Sequence, residues 1–387
     1  MQRAAILCVV GTRPEAIKLA PLVLALGSHP RLRPVVVSTG QHGELLDRAL
    51  AAFGLAADHD LGVMKPGQTP ADVVAAALPG LMRIIATVHP AAVVAQGDTA
   101  STWAAAQAAA YAQVPLVHLE AGLRSGNIAE PFPEELHRRA IAQFAALHFA
   151  PTPAACTALL REGISAESVY LSGNSGIDAL RLIEARLTAD AELCRHIAAE
   201  LPAFDRSRPL LLVTAHRREN HGSGIIGIAA AIRELCEHHG VEVVLPVHPS
   251  PAISIPLHSL LGDVPGVHLV APLDYPAFTW LLRQATVVLT DSGGIQEEAP
   301  ALGIPVLVTR RVTERDEGLA SGNARLVGTD PAKIVAAVLA LLNDAPALAR
   351  MSKAALPYGD GLATPRMIAV LDCLYGSATC TQLLHQG

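Results

Sequence analysis

The stretch DSGGIQEEAP, residues 291–300, joins a strand-like run, VVLT from Val287, to a helix that opens at Gly293–Gly294. A helix start behind a glycine turn aims backbone N–H groups and the positive end of the helix dipole at one point, an arrangement that holds anions. Glu297 and Glu298 follow at once. Adjacent helical residues diverge by about 100°, so one of the two faces a ligand placed there. Ser292, Gly293 and Gly294 on a pyrophosphate, with one glutamate on ribose hydroxyls, would suit a nucleoside diphosphate. Two basic motifs suit the same anion. GTRPEAIK (11–18) sets Arg13 behind the first apolar run, with Pro14 in the first helical turn and Lys18 about one turn further on. TAHRREN (214–220) puts His216 beside Arg217 and Arg218 at the end of another run, and an arginine presents a fork of donors to phosphate.

Carboxylates form a second set. Asp98 in QGDT (96–99) and Glu120 in HLEAGLRSGN (118–127) close two apolar runs, and PEELHRR (133–139) starts a helix with Glu134 and Glu135. Acids converging on one cleft resemble paired acid–base groups held at different pKa values, while one of the Glu134–Glu135 pair only complements the helix dipole. Glu134-x-x-His137 matches half of a di-iron motif, but that site needs a second copy, so no metal is expected. HGSGIIG (221–227) contains G-x-G-x-x-G but starts too far behind its strand, and no acidic residue closes the next one. With no Tyr-x-x-x-Lys pair either, no nicotinamide cofactor is expected.

The elements that must position these groups are legible as short apolar runs alternating with helix-length segments: AAILCVV, PVVVST, AAVVAQ, PLVHLE, LHFAP and VYLSG, then LLLVTAH, VEVVLPVH, VHLVAP, VVLTDS, PVLVT and ARLVG. Runs apolar on both faces predict parallel sheets covered by helices. Two successive sets predict two doubly wound domains, over 1–200 and 201–363, joined at LPAFDRSRP. A helix entered through Pro365 then occupies 364–387, returning to the first domain. Ligands bind beyond the carboxyl ends of such strands, which is where the polar clusters fall. An interdomain cleft lined from both sides is the expectation.

Bulk properties narrow the classes. The 387 residues carry a net charge of −6 and no basic block, which argues against a nucleic-acid face. The longest apolar run, Ile334 to Leu342, falls short of the roughly 18 to 20 residues of a membrane helix. MQRAAILCVVG breaks at GTRPE without a small-residue cleavage site, so it reads as the first strand of a cytoplasmic protein. The six cysteines form no CxxC and no zinc spacing, as expected of reduced thiols.

Taken jointly, GTRPEAIKLAPL, QGDT, HLEAGLRSGN, PFPEE, TAHRREN, PVHP, DSGGIQEEAPALGIPVLV, TER and PYGDG resemble the non-hydrolysing UDP-N-acetylglucosamine 2-epimerases over nearly the whole chain. That resemblance implies a GT-B-like α/β fold of two Rossmann-like domains, no cofactor, and interconversion of UDP-GlcNAc and UDP-ManNAc for surface polysaccharide synthesis, in a homodimer without nucleic-acid or membrane partners. It implies Arg13 and His216 on phosphate, Ser292, Gly293 and Gly294 on the diphosphate, Glu298 on ribose, Phe278 at uracil and Arg315 on the nucleotide. Lys18, Asp98, Glu120 and Glu134 would surround the sugar, with His216 joining the catalytic set. A second, activating UDP-GlcNAc would lie near Gln41, His42, Gln68 and His248. Departures are Asp316 where proline is usual, His137 where asparagine is common, and Glu44 and Gly67 where activated members carry Gln and Arg. Losing that arginine implies weak or absent activation. A hydrolysing epimerase releasing ManNAc and UDP, a GT-B glycosyltransferase and an inactive nucleotide-sugar sensor are the rival readings.

Overall fold

Apolar runs become strands here because helices cover both their faces. In the computed structural model, which describes residues 3–41, 43–353 and 356–376, they form two sheets in which every pairing is parallel. The first holds β1 (Ala4–Val10), β2 (Leu32–Ser38), β3 (His59–Asp60), β4 (Ala92–Gln96), β5 (Leu116–Leu119), β6 (Leu147–Ala150) and β7 (Val169–Leu171), in the order β3-β2-β1-β4-β5-β6-β7. The second holds β8 (Leu210–Thr214), β9 (Glu242–Pro246), β10 (Val267–Val270), β11 (Val287–Thr290), β12 (Val306–Val308) and β13 (Ala324–Leu326), in the order β10-β9-β8-β11-β12-β13. Each reverses direction of winding beside its first strand, the doubly wound pattern. Twelve strands coincide with the apolar runs; β3, an exposed His–Asp pair at an edge, has no apolar signature to announce it.

Register decides where chemistry can sit. Val9 pairs with Ala95 and Thr290 with Thr214, so β1 and β4 end level, as do β8 and β11. The loops after them, Gly11–Arg13 with Gly97–Thr99 and Ala215–Arg217 with Asp291–Gly294, therefore flank each sheet's switch point, where open α/β sheets bind ligands.

Contacts divide the chain into one unit running to Leu182 and resuming at Tyr358, and another spanning Ile183–Pro357. In the first, Leu7, Val9, Val93 and Ala95 pack with Val73, Ala77, Leu81 and Ile85 of the helix Pro70–Val88 and with the alanines of Ala100–Tyr111. Among the described residues, Pro70–Val88 is the one unbroken helix long and apolar enough to cross a bilayer. Core helices meet the same criterion, and this one commits its Val73–Ala77–Leu81–Ile85 stripe to the sheet. In the second unit, Val213, Leu245 and Leu289 pack with Ile228, Ile232 and Leu235 of the helix Ser223–His239 and with Ile334 and Val338.

The helix Ala363–Tyr375 packs against Arg13–Gly27, and Arg31 forms an ion pair with its Asp372. Its N-cap, Leu362, offers no side-chain acceptor. Asp178 takes that role from another helix, accepting the N–H groups of Ala363 (3.2 Å) and Thr364 (2.7 Å) while buried. Asp178→Ala should therefore cost roughly 1.5–3 kcal/mol, the range for lost hydrogen bonds to a charged group. A lowered melting temperature with earlier proteolysis after residue 357 would register it.

Candidate active site

In the first unit the GTRPE loop is fixed by a residue the sequence reading passed over. Glu15 is buried, and its Oε2 accepts the backbone N–H groups of Gly11 (2.6 Å) and Thr12 (2.9 Å). Its Oε1 accepts from Thr102 (3.0 Å) and Thr99, so one carboxylate ties the loop after β1 to the loop after β4. Burial raises its pKa against the pull of these four donors. Gly11 has no room for a side chain, since a Cβ would lie 2.0 Å from Ser101 Oγ. Arg13 opens the helix Arg13–Gly27, half-buried, and Lys18 reaches back from its second turn to pair with Glu120.

Glu120 stands just past β5 with φ of +59°. A non-glycine residue there carries about 1–2 kcal/mol of steric cost, which surrounding bonds must outweigh. Oε1 meets Lys18 Nζ and Oε2 accepts from Gln96 Nε2, at the end of the neighbouring β4. Asp98 is held twice: Arg138 Nε donates to its carboxylate (2.7 Å) and His137 Nδ1 lies 2.8 Å from its carbonyl, with the His137 ring stacked on Trp103. Arg138 and His137 lie on the helix Glu134–Phe144. Glu134 and Glu135, its first residues, divide the work. Glu135 is fully buried and accepts from Ser125 N (3.0 Å), Arg138 and Arg139. Glu134 instead keeps a buried Oε2 that no donor meets among the described residues. Hydrogen bonds thus link Glu120 to the end of β4, and Asp98 to the helix that Glu134 begins.

In the second unit the organising group is Asp291. Fully buried, it accepts the backbone N–H groups of His216 (2.9 Å) and Arg217 (2.9 Å) and the amide of Asn220 (3.0 Å), and lies 3.1 Å from His216 Nδ1. Burial alone would raise its pKa; the hydrogen bonds and charge of His216, with the backbone donors, hold it below the ordinary value. His216 stacks on His248, whose pKa is lowered by partial loss of solvent around its ring and by His216. Behind Asp291 the helix Gly293–Ala301 starts at Ser292, whose side chain does not cap it. Two guanidinium groups stand over that start: a Cβ on Gly293 would lie 3.4 Å from Arg315 Nη2 and 3.7 Å from Arg217 Nη2. Arg315 is buried and bonded to Glu297 (2.7 Å), with Glu314 3.3 Å away. Glu297 therefore faces inward, while Glu298 is half-buried and accepts from Tyr275 (3.2 Å). Phe278 is buried in the helix Tyr275–Leu282.

The residues expected to bind an activator are less tightly built. Gln41 accepts from Ser101 (2.7 Å) and Gln68 from the N–H of Lys65 (2.8 Å). His248 is exposed, and His42 lies outside the described residues. Glu44 pairs with Arg48 on its own helix, and Gly67 adopts φ of +73°. No group of three or more His, Cys, Asp or Glu side chains gathers to hold a metal ion among the described residues.

Compared with known proteins, the chain matches the family described as UDP-N-acetylglucosamine 2-epimerase over residues 24–372. The chain belongs to that family. A UDP-N-acetylglucosamine 2-epimerase from Salmonella typhimurium is 44% identical over 367 residues, 95% of this chain and 98% of its own. One from Bacillus subtilis is 42% identical over 377 residues, 97% of each. The crystal structure of UDP-GlcNAc 2-epimerase from Neisseria meningitidis bound to UDP-GlcNAc has a TM-score of 0.91 at 39% identity, covering 95% of this chain and 99% of that one. The fold is accordingly GT-B-like.

In this epimerase-family chain Glu15 joins the strand-end residues expected, and Gln96, Asp291 and Arg217, expected at strand ends without an assigned role, bond to or stand over the same loops. Strand-end position signalled Arg217 and Asp291 alike, while the burial of Asp291 and the role of Glu15 left no mark in the sequence. The cations over Gly293 rest on acids, and Glu314 shows it best. Burial opposes its ionisation, yet Arg315 and Arg310 bring its pKa from 4.5 to about 2. A depressed carboxylate contributes stability that is present above its unfolded pKa and lost as pH falls through the folded one. Glu314→Gln should thus be destabilised at pH 5–7, with the gap from wild type closing between pH 4.5 and about 2 in denaturant titrations.

Proposed function

We propose that this protein interconverts UDP-GlcNAc and UDP-ManNAc by the non-hydrolysing route, eliminating UDP and adding it back. The C2 proton of the sugar has no adjacent carbonyl, so simple deprotonation is too slow. Cleavage of C1–O with loss of the C2 hydrogen gives 2-acetamidoglucal and UDP. Protonation of C2 on the opposite face and return of UDP to C1 complete the inversion. Charge developing at C1 resembles that in glycosidases, where carboxylates stabilise it, and the departing diphosphate needs cations and N–H donors placed in advance.

The observation that carries this reading is the carboxylate set of the first unit. Asp98 and Glu120 are each anchored by a cation, while Glu134 keeps a buried oxygen with no donor from the described protein. Anchored acids hold position, and an unsatisfied one is free to exchange a proton with a substrate. In this proposal Lys18 steadies Glu120, and Arg13 and His216 meet phosphate. Ser292, Gly293 and Gly294 take the diphosphate with Arg315, and Glu298 and Phe278 take ribose and uracil. A cytoplasmic homodimer supplying surface polysaccharide synthesis is the setting that the family resemblance supports for this reaction.

Incubation with UDP-GlcNAc in deuterated water tests the reaction. Deuterium at C2 in a mixture of both UDP-sugars is the expected result, and Glu134→Gln should slow its entry at least about 100-fold. Free ManNAc with UDP would indicate a hydrolysing enzyme, transfer to an acceptor a glycosyltransferase, and binding without turnover a sensor. Activation by a second UDP-GlcNAc is expected to be weak or absent, because Gly67 brings no side chain and Glu44 is engaged by Arg48. UDP-ManNAc should then turn over without added UDP-GlcNAc, and UDP-GlcNAc kinetics should be hyperbolic; a sigmoidal curve contradicts this.

A further inference from the structure

The imidazole of His118 lies in the middle of the first sheet, 1% exposed, on a strand otherwise made of Leu and Val. An apolar residue would suit that position better, since a buried polar ring costs free energy unless its bonds are met. One bond is met: Nε2 lies 2.7 Å from the carbonyl of Gly97. A carbonyl can only accept, so Nε2 carries the hydrogen and Nδ1 holds the lone pair. Nδ1 is buried with no partner among the described residues. Burial lowers the His118 pKa to about 4, and His148, its neighbour in register on β6, adds to that shift. The ring is therefore neutral, with its one hydrogen committed to Gly97.

Gly97 is the hinge between two of the carboxylates described above. Its N–H donates to the carbonyl of Leu119 (3.1 Å), next to Glu120. A Cβ on it would lie 3.6 Å from Glu120 Oε2, so the acid rests against this glycine. Its φ of +79° leads directly into Asp98. Leu119 thus holds the Gln96–Gly97 peptide through its N–H, and His118 holds the next one, Gly97–Asp98, through its carbonyl.

Building on the reaction proposed above, we propose that His118 is a positioning residue, which sets Asp98 and Glu120 for proton transfer at C2 by fixing the Gly97 carbonyl. It touches no substrate in this assignment. Its effect is on geometry, where a displacement of about 1 Å can cost about 100-fold in rate. Arg138 and His137 fix the far side of Asp98, and His118 fixes the near side.

Two polar substitutions in the full-length enzyme separate this from a role in folding alone. Glutamine places an N–H where Nε2 was; asparagine is too short to reach Gly97. Expected for His118→Asn is a kcat lower by about 100-fold per folded molecule, with calorimetric UDP affinity within about twofold of wild type. The isotope effect with C2-deuterated UDP-GlcNAc should rise, because hydrogen transfer becomes the slower step. His118→Gln should recover kcat to within about tenfold of wild type. Equal kcat for the two variants, an unchanged isotope effect, or losses that follow UDP affinity or melting temperature would overturn the assignment. Absence of C2 exchange in the wild type would instead overturn the epimerase reading, and it is visible before any variant is made.

Discussion

A parallel strand covered by helices on both sides has little place for a polar side chain except its carboxyl end. That constraint governs this chain. β1, β4, β8 and β11 are almost wholly apolar along their lengths, and each is followed at once by residues that carry charge or tight turns. Level registers then bring neighbouring ends together. The polar groups of each unit are gathered by pairing, not by proximity in sequence, and the loops holding them can be short because the strands have already aimed them.

Gathering like charges has its own cost, and the two units meet it differently. Above Gly293 the guanidinium groups of Arg217 and Arg315 approach one point, and Glu297 and Glu314 offset their repulsion from the side. Around Asp98 and Glu120 the roles reverse, with Arg138 and Lys18 as the compensating charges. Asp98, Glu120 and Arg315 thus each have an oppositely charged side chain as a bonded partner. Glu134 keeps one buried oxygen, and Arg217 its buried Nε, with no partner among the described residues. Unmatched buried polar atoms are costly.

Much of the architecture could be read from residue order, because alternation of apolar runs and helices leaves few topologies. The edge strand β3 could not, since His59 and Asp60 carry no pattern. The glutamate pairs show the boundary well. Helical geometry says that Glu297 and Glu298 diverge, as do Glu134 and Glu135. Which member turns inward depends on Arg315 in one case and on Arg138 and Arg139 in the other. Glu15 and Asp291 were harder still. A carboxylate one turn into a helix reads as a dipole partner, and only the folded loops show four donors converging on it. Residues joined across 75 or more positions, such as His216 with Asp291 or Arg31 with Asp372, leave no local mark.

The docking of Ala363–Tyr375 on Arg13–Gly27 also bears on biosynthesis. The second unit is contiguous, Ile183–Pro357, so all of its core is synthesised before the helix Ala363–Tyr375, and domains commonly fold as units during translation. The first unit has its sheet early but must wait for the last helix to seal it. Until Ala363–Tyr375 is made, the nascent chain lacks the residues that pack on Arg13–Gly27.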